Sequence, residues 1–142
     1  TIGYVGRPEA TARALDVGWL RTGDVGYLDD EGYLYVLDRR DDLIVTGGEN
    51  VYPAEVEAAL LAHPAVEEAG GIGGPDAEGG DVVVAVVRRH DGTSVTEEEL
   101  RLFCRSRLAG YKVPKRVAFV DALPRNAAGK LLRRELRRWL TT

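Results

Sequence analysis

The chain has 142 residues, of which 44% are hydrophobic and 30% are charged, and its formal net charge is -4. This length supports one ordinary hydrophobic core with a small appendage, and the composition is that of a soluble globular protein. The negative balance gives no general reason to expect nucleic-acid binding. With one cysteine, Cys104, and two histidines, the sequence excludes an internal disulfide and offers no plausible zinc site. We therefore expect a cytoplasmic protein without a metal site, and no run resembles a membrane span or a signal peptide.

The first predicted element is a β-hairpin. Apolar runs at residues 25–28 and 33–37 flank a polar loop ending in Gly32, which can adopt the left-handed conformation of a short hairpin turn. The charged run 38–42 follows and is too polar to be buried. We interpret this run as the domain boundary of the chain.

A small α+β domain is predicted beyond this boundary. It begins with a short strand at residues 43–45 and a loop that contains the pair Gly47 and Gly48. Pro53 then begins a helix whose apolar residues recur at helical spacing and form one face. Three further strands are predicted at residues 66–72, 81–88 and 116–120. We expect short antiparallel sheets packed by about three helices.

The remaining predicted elements are two helices and a glycine-rich loop. Thr96 and Glu99 form a capping-box pattern that begins one helix. A last helix follows Lys130, and its predicted apolar face consists of Leu132, Leu136, Trp139 and Leu140. We expect an exposed loop within residues 70–80, and we expect Gly71 and Gly74, at positions where a strand favours valine, either to weaken that strand or to mark a shifted register.

Lys130 is a candidate functional residue because lysine occurs at only three positions, against sixteen arginines. It follows the short segment 126–129, which we expect to be flexible. A lysine at such a place can meet a phosphate or carboxylate whose negative charge grows during a reaction. The segment is not a Walker phosphate loop, because Pro124 and Leu131 occupy positions where that motif needs glycine and Ser or Thr. Residues 71–76 likewise lack the third glycine of a dinucleotide-binding motif.

Three stretches, residues 18–24, 38–57 and 124–130, together resemble the C-terminal signature motifs of the adenylate-forming superfamily. This superfamily contains acyl-CoA synthetases, firefly luciferase and the adenylation domains of nonribosomal peptide synthetases. The order and spacing of the motifs match over nearly the whole chain. Within the superfamily, the sequence GGENVYP from Gly47 is similar to acyl-CoA ligases, including o-succinylbenzoate-CoA and fatty acid-CoA ligases.

The resemblance implies a two-step reaction that uses Mg-ATP, a small carboxylic acid and coenzyme A as substrates. The acid is first converted to an acyl-AMP, and the thiol of coenzyme A then displaces AMP. Asp24 would accept hydrogen bonds from the ribose hydroxyls, and Arg39 would donate to ribose and phosphate oxygens. Lys130 would bridge the carboxylate and the α-phosphate during adenylation.

The resemblance also implies that the C-terminal domain rotates between the two steps. Asp41 matches the hinge position, with Asp42 as the fallback, and residues 38–42 would form the hinge. Gly47 and Gly48 would line the channel for the pantetheine arm of coenzyme A. Residues 1–37 would be the tail of the large domain, and residues 43–142 the mobile domain.

The large domain, with its phosphate loop and acyl pocket, is the partner that the resemblance implies, and we expect the fragment alone to be inactive. Two alternatives remain at this point. The chain could be a stand-alone module that binds coenzyme A or a protein partner. A carrier protein could also replace coenzyme A as the acceptor.

Overall fold

The computed structural model describes residues 2–76 and 80–139, and it divides into two compact units, Thr1–Asp41 and Asp42–Thr142. The division falls inside the charged run 38–42. Leu140, which the sequence places on the last helix, lies outside the described residues.

The first unit consists of one helix and two hairpins. Helix α1, Pro8–Ala14, begins at a proline, and strands β1, Leu15–Asp16, and β2, Trp19–Leu20, form a minimal hairpin after it. Strands β3, Asp24–Leu28, and β4, Leu34–Arg39, form the hairpin that the sequence predicts. None of residues 2–41 is buried, so the described part of this unit has no core of its own.

The second unit is built on a three-stranded sheet. A hairpin of β5, Ile44–Thr46, and β6, Glu49–Val51, precedes α2, Pro53–Leu61. The sheet order is β7, Val66–Pro75, then β8, Asp81–Arg89, then β9, Arg116–Phe119. Helix α3, Glu97–Arg105, joins β8 to β9, and α4, Arg133–Trp139, ends the described chain. The predicted α+β fold with three helices in this domain is confirmed.

One strand pairing differs from the predicted antiparallel pattern. Strands β7 and β8 are antiparallel, but β8 and β9 are parallel, with Val84 opposite Arg116. The reason is the connection, because a parallel pair needs a crossover, and α3 provides it. The capping box that begins α3 is present: the Glu99 amide donates to Thr96 Oγ1 at 3.2 Å, and the Thr96 amide donates to Glu99 Oε2 at 2.7 Å.

Both faces of the sheet are buried. Alternate residues of β8 point to opposite faces, so Val83 and Val87 belong to one core cluster, and Val82 and Val86 to another. The first cluster also contains residues of the β5–β6 hairpin, α2 and α3, and the second contains Leu136 of α4. The helices therefore cover the sheet from two sides.

The expectation of an exposed glycine loop is wrong for Gly70–Pro75, which continue β7 and are mostly buried. A β-carbon at Gly70 would lie 2.8 Å from Leu136 Cδ1, and one at Gly71 would lie 3.3 Å from Pro53. These glycines therefore allow α4 and α2 to approach the strand closely on its two faces. Residues 77–79 of the predicted loop lie outside the described residues.

The predicted apolar face of the last helix is only partly correct. Leu136 is fully buried, but the exposed fraction is 37% for Leu132 and 48% for Trp139. Helix α4 has seven described residues, and its contact with the sheet lies at Leu136, opposite Gly70. A helix this short presents about two turns to the sheet, so one central residue fills most of the contact.

Candidate functional site

The loop that carries Lys130 is a hydrogen-bonded turn and not the flexible segment that the sequence suggests. Arg125 and Leu131 pair as an antiparallel bridge across it. Asn126 Oδ1 accepts from the amides of Ala128 at 3.0 Å and Lys130 at 2.9 Å, and the Asn126 amide donates to the Lys130 carbonyl at 3.0 Å. The backbone at Lys130 is therefore held in one conformation by the asparagine.

Arg125 fastens this turn to the sheet. Its Nε and Nη2 atoms donate to Glu68 Oε2 on β7 at 2.9 and 2.5 Å, and its Nη1 donates to the Gly129 carbonyl at 2.8 Å. These hydrogen bonds from Arg125 lower the pKa of Glu68 below its ordinary value against the opposing effect of partial burial, and Arg88 contributes to the lowering. This pair could not be predicted from the sequence, because no local pattern connects residues 57 positions apart.

The Lys130 side chain is exposed at the end of this braced turn. Within residues 2–76 and 80–139, its ammonium group makes no hydrogen bond or ion pair, and only its backbone takes part in the turn. A rigid backbone with an unpaired cation is an arrangement suited to stabilising negative charge on a bound molecule, because little reorganisation is needed.

Asp24 and Arg39 lie together in the first unit, as directly opposed residues at the open end of the β3–β4 hairpin. The distance from Arg39 Nε to Asp24 Oδ1 is 3.2 Å, and both side chains are partly exposed. The pair offers a carboxylate acceptor and a guanidinium donor on the same side of the hairpin. Arg39 and Asp41 also line a groove of about 380 Å³ inside this unit.

Gly47 and Gly48 form the two-residue turn of the β5–β6 hairpin. Their φ angles are +57° and +82°, as a type I′ turn requires, and no atom lies within 4 Å of an ideal β-carbon at either position. The glycines are therefore needed for backbone conformation and leave open space beside the turn.

A basic groove lies beside Gly47. It has a volume of about 340 Å³, and its lining includes Arg101, Arg105, Tyr111 and Lys115. Arg101 is oriented by a hydrogen bond of 3.1 Å from its Nε to the Pro114 carbonyl. This groove was not predicted from the sequence, in which the spacing of Arg101 and Arg105 on one helix face was the available signal.

The turn that carries Lys130, residues 126–130, and the turn formed by Gly47 and Gly48 belong to opposite faces of the sheet. They are called the lysine turn and the glycine turn below. Leu131, next to Lys130, packs against the core cluster that contains Leu136, whereas Ile44 and Val51 of the glycine hairpin belong to the other cluster. The second unit thus presents two different candidate surfaces, one carrying a lysine and one carrying a glycine turn with a basic groove.

Neither a metal-binding cluster nor a membrane-spanning helix is present in residues 2–76 and 80–139. This part of the chain contains no group of three or more His, Cys, Asp or Glu side chains arranged to hold a metal ion. None of its helices has the length and apolar character needed to cross a membrane.

Comparison with known proteins gives a consistent result. Residues 55–130 match the family model of the AMP-binding enzyme C-terminal domain. The 2-succinylbenzoate–CoA ligase of Geobacillus kaustophilus (strain HTA426) is 65% identical over 138 residues, which are 97% of this chain and 28% of that protein.

Two solved structures of the o-succinylbenzoate CoA synthetase MenE from Bacillus subtilis are also similar. The complex with the acyl-adenylate intermediate OSB-AMP has a TM-score of 0.88 at 52% identity and covers 95% of this chain and 28% of that chain. The complex with ATP and magnesium ion has a TM-score of 0.85 at 51% identity and covers 99% of this chain and 28% of that chain. The chain therefore spans 28% of the length of these relatives.

Proposed function

Because the chain belongs to the AMP-binding enzyme C-terminal domain family, we propose that it forms the C-terminal part of an ATP-dependent ligase joining a carboxylic acid to coenzyme A. The observation that carries the proposal is Lys130, an exposed cation without a partner among the described residues, on a turn braced by Asn126 and Arg125. Such a cation suits a reaction in which negative charge is concentrated between a carboxylate and a phosphate.

In the first step, a carboxylate oxygen of the acid attacks the α-phosphorus of ATP, and pyrophosphate leaves. Lys130 contacts both the attacking carboxylate and the α-phosphate, and it offsets their mutual repulsion. Asp24 accepts from the ribose hydroxyls, and Arg39 donates to ribose or phosphate oxygens from the neighbouring strand. Magnesium accompanies ATP as part of this substrate.

In the second step, the thiolate of coenzyme A attacks the acyl carbon, and AMP leaves. The Gly47–Gly48 turn lines the path of the pantetheine arm, because no side chain projects from it. Arg105 and Lys115, in the groove beside Gly47, provide positive charge for the phosphates of coenzyme A.

The two steps use opposite faces of the sheet, so the second unit must rotate between them. We assign the hinge to residues 38–42, and Asp41 is the middle residue of the short 3₁₀ turn Arg40–Asp42 within it. A hinge at the edge of a compact unit can absorb the backbone change without disturbing a core.

The first unit supports the existence of a large partner domain. Four large apolar side chains of the β3–β4 hairpin are at least 60% exposed, and they are Leu28, Tyr33, Leu34 and Val36. An apolar patch of this kind is typical of a surface covered by another part of a protein. We therefore propose that residues 1–37 complete a large upstream domain that holds the phosphate loop and the acyl pocket, in a cytoplasmic enzyme.

The acid to test first is 2-succinylbenzoate, because the relative with 65% identity is named as a ligase of that compound. The experiment compares the 142-residue chain with a version extended upstream by the large domain, called the extended protein below. Each is incubated with Mg-ATP, a panel of aromatic and fatty acids, and coenzyme A or a carrier protein. Pyrophosphate release and thioester mass are measured.

We expect pyrophosphate and an acyl-CoA from the extended protein with 2-succinylbenzoate, and neither product from the 142-residue chain. A thioester formed on the carrier protein and not on coenzyme A would show that the carrier protein is the acceptor. Binding of coenzyme A without turnover in either protein would contradict the ligase proposal and favour a binding module.

A further inference from the structure

The first residue of the second unit, Asp42, is fixed to helix α4 by two arginines. Its Oδ1 atom lies 3.2 Å from Arg137 Nη2, and its Oδ2 atom lies 3.6 Å from Arg133 Nη1. Arg133 Nη2 in turn donates to both carboxylate oxygens of Glu57 on α2, each at 2.9 Å. We call these four residues the hinge clamp; all of them lie within the second unit.

The three central members of the hinge clamp are shielded from water. The exposed fractions of their side chains are 12% for Arg133, 16% for Glu57 and 19% for Asp42. Glu57 Oε1 also accepts the Gly71 amide of β7 at 2.8 Å, so the cluster is tied to the sheet. Ion pairs at this depth are screened much less than surface pairs, and removing one partner leaves a costly unpaired charge.

The arrangement of charges in the hinge clamp fixes the positions of its members at some cost in stability. Arg133 Nε is buried and has no hydrogen-bond partner within the described residues. A buried donor without a partner costs free energy, and apolar side chains could have filled this space without that cost. The charged arrangement does supply directional bonds that connect the start of the unit to one particular turn of α4.

We propose that Asp42 is the fixed edge of the hinge, and that Arg133 is a positioning residue that transmits the hinge rotation to Lys130. This inference rests on the proposed ligase function. Because Asp42 is clamped, the rotation is confined to the residues before it, which agrees with the division of the chain between Asp41 and Asp42. Arg133 begins α4 only three residues after Lys130, so the clamp holds the lysine turn in register with the hinge.

The clamp affects the two candidate surfaces unequally. The glycine hairpin follows Asp42 closely in the chain, but Ile44 and Val51 fix it independently in the core, at 1% and 0% exposure. The lysine turn lies 88 positions after Asp42; Arg125 fastens it to the sheet, and α4 supplies its direct connection to Asp42. Loss of the clamp should therefore disturb adenylation, which needs Lys130, more than thioester formation.

The test uses the extended protein with the substitutions Asp42→Asn and Arg137→Gln. Arg137 is the more exposed partner of Asp42, at 38%, so its loss weakens the clamp without leaving a deeply buried charge. Glu135→Gln is the matched control, because it breaks the exposed Glu135–Arg138 pair on the same helix. Adenylation is measured as pyrophosphate release, thioester formation is measured from supplied acyl-AMP, and melting temperatures are recorded for all variants.

We expect Asp42→Asn to lower the adenylation rate about 10-fold, because this step is sensitive to small displacements of Lys130. Thioester formation should change less than about 2-fold. Arg137→Gln should shift the ratio of the two rates in the same direction by a smaller factor, and Glu135→Gln should leave it unchanged. Equal losses in both steps, in proportion to loss of folded protein, would overturn the proposal, because a purely structural role predicts that result.

Limited trypsin cleavage gives a readout that does not depend on activity. The hinge contains the cleavage sites Arg39 and Arg40, and mass spectrometry identifies the cut. We expect Asp42→Asn to increase cleavage there several-fold relative to Glu135→Gln. If the wild-type extended protein catalyses neither step, the ligase proposal fails, and unchanged cleavage in Asp42→Asn would separately refute the clamp as the fixed edge of the hinge.

Discussion

Gly70 gives the sharpest stability prediction, because helix α4 packs directly on its backbone. An alanine β-carbon at this position would lie 2.8 Å from Leu136 Cδ1 and 3.1 Å from both Leu123 Cδ2 and Leu131 Cδ2. Leu136 is fully buried, so its side chain has no open solvent to move into. We therefore expect Gly70→Ala to destabilise the second unit by about 2 kcal/mol, within the range for overpacked cores.

Urea unfolding followed by circular dichroism measures this effect. With a slope of about 2 kcal/mol per molar urea, the midpoint should fall by about 1 M. Gly110→Ala is the matched control, because Gly110 lies in a 3₁₀ turn with no atom within 4 Å of its ideal β-carbon. We expect that control to change stability by less than about 0.5 kcal/mol. Equal midpoints for the two variants would refute the account of close helix packing at Gly70.

Three further substitutions test the site. Glu68→Gln should destabilise the protein at pH 7, and this loss of stability should shrink as the pH falls below about 4.5. The reason is that a carboxylate with a lowered pKa stabilises the fold only while it is ionised. A pH-independent difference between the urea unfolding midpoints of the variant and the wild type would argue against the Arg125–Glu68 brace. Gly48→Val, at a φ of +82°, should slow thioester formation from supplied acyl-AMP while adenylation persists, and equal slowing would remove Gly48 from the coenzyme A path. Asp41→Pro should stiffen the hinge and reduce thioester formation more than adenylation, so a uniform loss would place the hinge elsewhere.

Local patterns in the sequence were sufficient for the elements that depend on local chemistry. The turn at residues 29–32 was sufficient to predict the β3–β4 hairpin. In the structure, Gly32 has a φ of +85° and Asp29 Oδ1 accepts the Tyr33 amide at 2.8 Å, and both features depend on local residue types. The capping box at Thr96 and Glu99 is likewise a local hydrogen-bond pattern, and it begins α3 as predicted.

Features that depend on distant residues could not be predicted in this way. Gly70 and Gly71 suggest a loop when they are considered alone, and only the approach of Leu136 and Pro53 from the two faces explains them as strand residues. The brace between Glu68 and Arg125 also joins distant positions, so the lysine turn seemed flexible from its composition. Helix α1 was missed because its seven residues have no buried face, and hence no periodic apolar signal.

Exchange of labelled pyrophosphate into ATP by the extended protein tests the central claim most directly, because it reports adenylation alone. The exchange is measured with 2-succinylbenzoate for the wild type and for Lys130→Ala. Lys115→Ala is the control, because Lys115 is also exposed and is assigned above to coenzyme A, which takes no part in this exchange. We predict exchange that requires the acid and falls at least about 100-fold in Lys130→Ala, while Lys115→Ala retains it. Equal exchange by the wild type and Lys130→Ala would contradict the role of Lys130 in adenylation.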